Sequence, residues 1–192
     1  MKNGKYEEDG IELWYCNDQL HREDGPACIE NDGSKSWYYH GKLHRLNGPA
    51  VMWRDGAREW WIDGKRHRTH APAVINADGS YRWYWNGLLH RIGGPAVEAA
   101  SGARAWYEHG ELHREDGPAV EGSDGTREWY NRAVQLSEQD FMDKHGVVIA
   151  KPKPLMQTPP YVSQEEVVKS VMFAMRSKYL EKEGNSRIKI RW

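Results

Sequence analysis

A strict 23-residue period limits this chain more than any other feature. His21-Arg22, His44-Arg45, His67-Arg68, His90-Arg91 and His113-Arg114 each stand 23 residues beyond the last. Trp14, Trp37, Trp60, Trp83, Trp106 and Trp129 keep the same step. Gly25-Pro26-Ala27, Gly48-Pro49-Ala50, Gly94-Pro95-Ala96 and Gly117-Pro118-Ala119 hold the register, with Ala71-Pro72-Ala73 as a variant. Asp-Gly recurs at Asp9, Asp32, Asp55, Asp78 and Asp124, and Ser101-Gly102 fills the remaining slot. Such a period without insertions marks a repeat architecture, in which each unit buries its apolar side against its neighbours.

Each unit reads as strand material. Asp-Gly and Asn-Gly mark tight turns, because glycine accepts positive φ there without steric cost. Between the turns lie short β-favouring runs such as Arg58-Glu59-Trp60-Trp61-Ile62 and Pro49-Ala50-Val51-Met52-Trp53. Three strands per unit would reverse the chain direction at every repeat, and like sequence in every unit requires like surroundings. An even count is therefore expected: two strands per unit, the second bent at Gly-Pro, where proline removes a ladder donor.

The period, the step Asn86-Gly87-Leu88-Leu89-His90 and the recurrent Asp-Gly resemble MORN repeats over about residues 5–136. The units are of the L-H-R-x-D-G-P-A-V type common in bacteriophage and bacterial proteins. The resemblance implies a mainly β fold: an elongated, open antiparallel sheet or solenoid of hairpin repeats. The usual H-G-x-G is replaced here by H-R-x-x-G-P-A, so lipid or partner roles of some MORN proteins do not transfer with the pattern.

The array, residues 1–136, ends visibly. Trp129-Tyr130 keep the register, but Ala133 replaces the turn glycine and Leu136 stands in the histidine position. Ser137 reads as the N-cap of a capping helix or turn over 137–146. Residues 147–162 hold Pro152, Pro154, Pro159 and Pro160 and read as a stiff connector. Ser163-Gln164-Glu165-Glu166 is a capping box that opens an amphipathic helix. This C-terminal helical tail, 163–192, ends in a basic strand. Val168, Val171, Met172, Met175 and Tyr179 share one helical face, and Phe173 and Leu180 form a second stripe; with Trp192 they make a candidate anchor.

Composition narrows the functional classes. The chain has ten Trp and ten Tyr but two Phe, a bias toward half-buried strand faces and interfaces. Trp and its follower point to opposite sheet faces. Tyr15, Tyr38, Trp61, Tyr84, Tyr107 and Tyr130 are the candidate binding face. With two strands per unit, equivalent residues recur roughly every 10 Å, and six units make a surface on the order of 50 Å long.

The ladder His21, His44, His67, His90 and His113 cannot share one metal ion at that spacing, since ligands sit about 2 Å from the metal. These histidines are expected to satisfy turn carbonyls or Asp side chains such as Asp24 and Asp116, with an anion-binding His-Arg stripe as the alternative. No phosphate-loop, nucleophile-elbow, dinucleotide or CxxC signature occurs. Catalysis needs unlike groups converging on one point, whereas this chain supplies like groups at equal intervals. No catalytic residue, metal or cofactor is expected.

Residues 1–142 carry 17 Lys and Arg against 23 Asp and Glu, net −6, and residues 143–192 carry 10 against 5, net +5. The acidic array makes nucleic-acid binding an unfavoured alternative. The basic tail could meet the array, an acidic partner, or another copy to give an oligomer. No apolar run approaches the ~18 residues of a membrane span. Without an apolar leader at the N-terminus, Cys16 and Cys28 are expected reduced and the chain cytoplasmic, in the host cytoplasm if viral. The expectation is a non-enzymatic macromolecule-binding or scaffolding protein with a protein partner. A phage factor binding a host or phage protein is one form, and a virion or structural-assembly component another.

Overall fold

A computed structural model describes residues 1–146. The expected connector, the amphipathic helix with its anchor residues and the terminal strand lie outside the described residues. Within them the chain is mainly β, with one helix at the C-terminal end. A 14-stranded antiparallel sheet runs from strand Gly4–Glu8 to strand Val134–Leu136 and does not close on itself.

The second to fifth units each hold four short strands rather than the two expected, and each adds two of them to this sheet. In the second unit they are Lys35–Ser36 and Val51–Met52. Between them the chain makes a side hairpin, Tyr38–Tyr39 against Lys42–Leu43. The same hairpin recurs as Trp61–Ile62 with Lys65–Arg66, Tyr84–Trp85 with Leu88–Leu89, and Tyr107–Glu108 with Glu111–Leu112.

The repeated tryptophan is the joint between sheet and hairpin. The Trp37 N–H donates to the Ala50 carbonyl at 2.8 Å, and its carbonyl accepts from the His44 N–H at 3.1 Å. Trp14, Trp60, Trp83 and Trp106 repeat both bonds. Successive hairpins are also tied together: Arg22 N–H donates to Tyr38 C=O at 3.2 Å and Gly41 N–H to Leu20 C=O at 2.8 Å. Backbone pairing therefore continues across the width of every unit.

The Asp-Gly turns are locked by their own side chains. The Oδ1 atoms of Asp32, Asp55, Asp78 and Asp124 accept the N–H two residues on, at 2.8–2.9 Å. The glycines that follow take positive φ, as Gly33 does at 89°.

The core is thin and periodic. Ala27, Ala50, Ala73, Ala96 and Ala119, the last residue of each Gly-Pro-Ala, have 0% exposure. One sheet face carries Cys28, Ser36, Val51, Glu59, Val74 and Arg82 in cross-strand register, with Val51 and Val74 buried. The other carries Ile29, Lys35, Met52, Arg58, Ile75 and Tyr81. Past the last repeat, helix Glu138–His145 packs on strands Arg127–Asn131 and Val134–Leu136. Ser137 Oγ accepts the Asp140 N–H at 3.0 Å, and Gly146 closes the helix at φ 57°. Phe141, 1% exposed, is the buried contact of this cap.

Candidate functional site

The arginine of each His-Arg pair is fully occupied by the fold. Its guanidinium stacks on the tryptophan eight residues earlier. The carbon-to-ring distances are 4.1 Å for Arg22 on Trp14, 3.9 Å for Arg45 on Trp37, 3.7 Å for Arg68 on Trp60, 3.8 Å for Arg91 on Trp83 and 4.0 Å for Arg114 on Trp106. The same side chain donates to the carbonyl of the proline four residues later, at 3.0–3.4 Å. The glycine before that proline lies under the guanidinium: a Cβ on Gly25 would fall 2.9 Å from the Arg22 guanidinium carbon, and one on Gly117 3.0 Å from that of Arg114. The pattern Trp…Arg…Gly-Pro is thus one stapled unit.

Contrary to the sequence expectation, the histidines do not bond turn carbonyls or Asp24 and Asp116. Those two aspartates take the Arg22 and Arg114 side chains, each at 2.7 Å. Instead, the histidine Nδ1 accepts a backbone amide from the following unit's turn. His21 accepts from His40 N–H, His44 from Asp63, His67 from Asn86 and His90 from His109, at 3.1–3.3 Å. The donating turn residues take positive φ, so their amides point out of the hairpin toward the ring. His44 Nδ1 also lies 3.1 Å from an Asp63 carboxylate oxygen. One lone pair serves one donor, and the recurrence of the amide bond in the other units fixes it as the acceptor. At the array's end His113 Nδ1 is buried with no hydrogen-bond partner among the described residues.

Burial pulls His21, His67 and His90 below the usual histidine range; the neighbouring rings of His40 and His109 push His21 and His90 the same way. The shift favours the neutral ring, the form in which Nδ1 can accept.

Tyr15, Tyr38, Trp61, Tyr84, Tyr107 and Tyr130 are all half-buried, as are the six repeat tryptophans. Several are also engaged. Trp61 Nε1 donates to Glu59 at 2.8 Å, with the Arg66 guanidinium over its ring at 4.8 Å. Tyr130 donates to Glu128 at 2.9 Å, a bond that raises its phenol above the usual range. Burial does the same for Tyr38.

Apart from Met1, Trp53 and Val134, the exposed large apolar side chains among the described residues gather in the fourth unit. Tyr81, Trp85, Leu88 and Ile92 are 37%, 43%, 48% and 81% exposed. Tyr81, Trp83 and Trp85 alternate along the chain and so share a face, with the Tyr81 and Trp83 rings 6.2 Å apart. Trp85 and Leu88 are cross-strand partners, which extends the stripe across the hairpin. The His67 ring lies 4.6 Å from Trp85. Trp53 is also exposed, beside Asp32, Ser34 and Asp55 in a separate surface depression.

A signal for this stripe does exist in the sequence. Once the units are aligned, Tyr81 falls in a column otherwise held by Glu12, Lys35, Arg58, Arg104 and Arg127. Leu88 falls in a column with Gln19, Lys42, Lys65 and Glu111 in the other full units, and Val134 in the last. Departures of this kind are invisible to a reading that follows the shared residues.

Among the described residues no group of three or more His, Cys, Asp or Glu is placed to hold a metal ion. No helix among them is long and apolar enough to cross a membrane. Fold and surface together define a repeat-built open β-sheet protein. No protein-family model matches the chain. No curated protein matches it either.

Proposed function

We propose that this chain is a non-enzymatic binding or scaffolding protein of MORN-like build, and that its fourth unit carries the contact surface for a protein partner. The observation behind this reading is the stripe of exposed Tyr81, Trp85 and Leu88 beside the half-buried Trp83, where neighbouring units place charges at the Tyr81 and Leu88 positions. Exposed Trp, Tyr and Leu held on strands have little entropy left to lose and desolvate readily, which is how interface anchors work. Equal spacing of like groups gives no convergence of unlike ones, so the repeat favours a surface over an active site. A phage factor that engages a host or phage protein is one form of this reading, and a virion or assembly component is another.

A nucleic-acid or phosphate binder using the His-Arg stripe has less support. Its arginines are committed to tryptophan rings and proline carbonyls, and His21, His44, His67 and His90 accept turn amides through Nδ1.

The test is a reversion to the neighbouring units. Tyr81→Arg with Leu88→Lys restores residues found in the same columns at Arg58 and Lys65. Partner capture by the full chain from its native source, followed by binding of the purified pair, is expected to be lost in this variant while its circular dichroism is unchanged. A partner held equally by both proteins overturns the reading. Steeply salt-dependent binding of nucleic acid that survives the reversion favours the alternative.

A further inference from the structure

The two ends of the sheet differ. Helix Glu138–His145 covers the last strands. The first strand, Gly4–Glu8, pairs among the described residues with Ile11–Cys16 on one side and with nothing on the other.

The free main-chain groups of that edge follow from Trp14. Its N–H donates to Ala27 and its carbonyl accepts from His21, so both point away from strand Gly4–Glu8. Lys5, the cross-strand partner of Trp14, is therefore in a non-hydrogen-bonded pair, and so is Glu7 opposite Glu12. The N–H and C=O of both Lys5 and Glu7 consequently face the open edge.

We propose that this edge pairs antiparallel with the same edge of a second copy of the chain, about a two-fold axis at Tyr6. Lys5 then lies opposite the second copy's Glu7, and Glu7 opposite its Lys5. These are hydrogen-bonded pairs in an antiparallel ladder, so every outward N–H and C=O of Lys5 and Glu7 finds its complement. The charges match as well. A lysine on an edge strand ordinarily discourages strand addition, but here the same strand carries the carboxylate that answers it. Lys5 bonds Glu12 at 2.9 Å, while Glu7 makes no ion pair among the described residues. The contact is isologous and so closes at two copies. One pair of five-residue strands buries less than the ~1,200 Å² of a standard interface, so the association is weak and seen at high concentration.

Sedimentation of the full chain over a wide concentration range tests this. The wild type is expected to show a reversible monomer–dimer equilibrium. Glu7→Lys sets lysine against lysine and is expected to weaken dimerisation at least about tenfold, whereas Lys5→Glu with Glu7→Lys restores it to within about threefold. Glu7→Pro removes an outward donor without touching the bonds to Ile11–Cys16 and is expected to abolish dimerisation. Circular dichroism verifies that each variant is folded; if the proline variant is not, the charge exchange decides alone. A chain that stays monomeric at every concentration overturns the proposal. So does a dimer indifferent to Glu7→Lys, a double variant no better than the single one, or open-ended polymers.

Discussion

The Arg68 guanidinium sits 3.7 Å from the centre of the Trp60 ring while its Nη1 donates to the Pro72 carbonyl at 3.1 Å. No carboxylate lies within ion-pair distance of Arg68 among the described residues, so stacking and one hydrogen bond hold it. A lysine has neither the planar face nor the second donor needed to do both at once. Arg68→Lys is expected to cost about 1–2 kcal/mol, read as a lower denaturant midpoint. The loss of amide protection is expected to centre on the third unit, because repeat arrays couple mainly to nearest neighbours.

The alanine column sets a different limit. Ala96 has 0% exposure at the bend after Gly94-Pro95. Ala96→Leu adds methylenes where none fit and is expected to destabilise by about 1–3 kcal/mol. Leu88→Lys, on the exposed stripe a few residues away, is expected to stay within about 0.5 kcal/mol of wild type. Thermal melts of the two variants under one condition check the contrast.

How far the sequence discloses the molecule follows from what repeats. The period, an even strand count and the end of the array at Ala133 and Leu136 are set by short-range turn chemistry and by the demand for like surroundings. The inner units, however, hold four short strands rather than two, and the chain through Gly-Pro links two strands instead of bending one. The partners of the histidines were not legible. His21 meets the His40 amide 19 residues away, and that reach depends on how one hairpin lies on the next. The competing assignment, Asp24, is adjacent in sequence but is taken by Arg22. The exposed stripe at Tyr81, Trp85 and Leu88 was missed for the opposite reason. Shared columns build the fold, so a surface feature appears where one unit breaks the column.

The broken turn at the array's end is a site for stabilisation. Gly41, Gly64, Gly87 and Gly110 occupy the second turn position at φ 73–89°, and Ala133 holds it at 62°. An alanine in the left-handed region pays a steric penalty that glycine does not, about 1 kcal/mol. The Ala133 N–H to Leu112 C=O bond, 2.9 Å, is kept by the substitution. Ala133→Gly is expected to raise stability by about 0.5–1 kcal/mol, measured by chemical denaturation, with slower amide exchange at residue 133. A loss of stability would mean that the greater freedom of glycine in the unfolded chain outweighs the relieved strain.

Acid should loosen the array through its histidines before its carboxylates. His21, His67 and His90 accept turn amides through Nδ1, and their folded pKa values lie below the ordinary 6.5 because burial disfavours the charged ring. Glu23 and Glu108 oppose that shift at His21 and His90 without reversing it. As pH falls through about 6.5 the unfolded chain takes up protons first, so stability present above that value declines until the folded rings titrate too. The turn aspartates Asp32, Asp78 and Asp124 are also lowered, by the Ser34, Ser80 and Thr126 donors, and their contribution is lost only below about 4. The denaturant midpoint is therefore expected to fall in two steps, the first setting in as pH drops through about 6.5. His67→Asn, whose side-chain oxygen can accept an amide without titrating, is expected to shrink that first step. A wild-type midpoint that stays flat as pH drops through that value would show that the amide-accepting ladder does not govern the acid response.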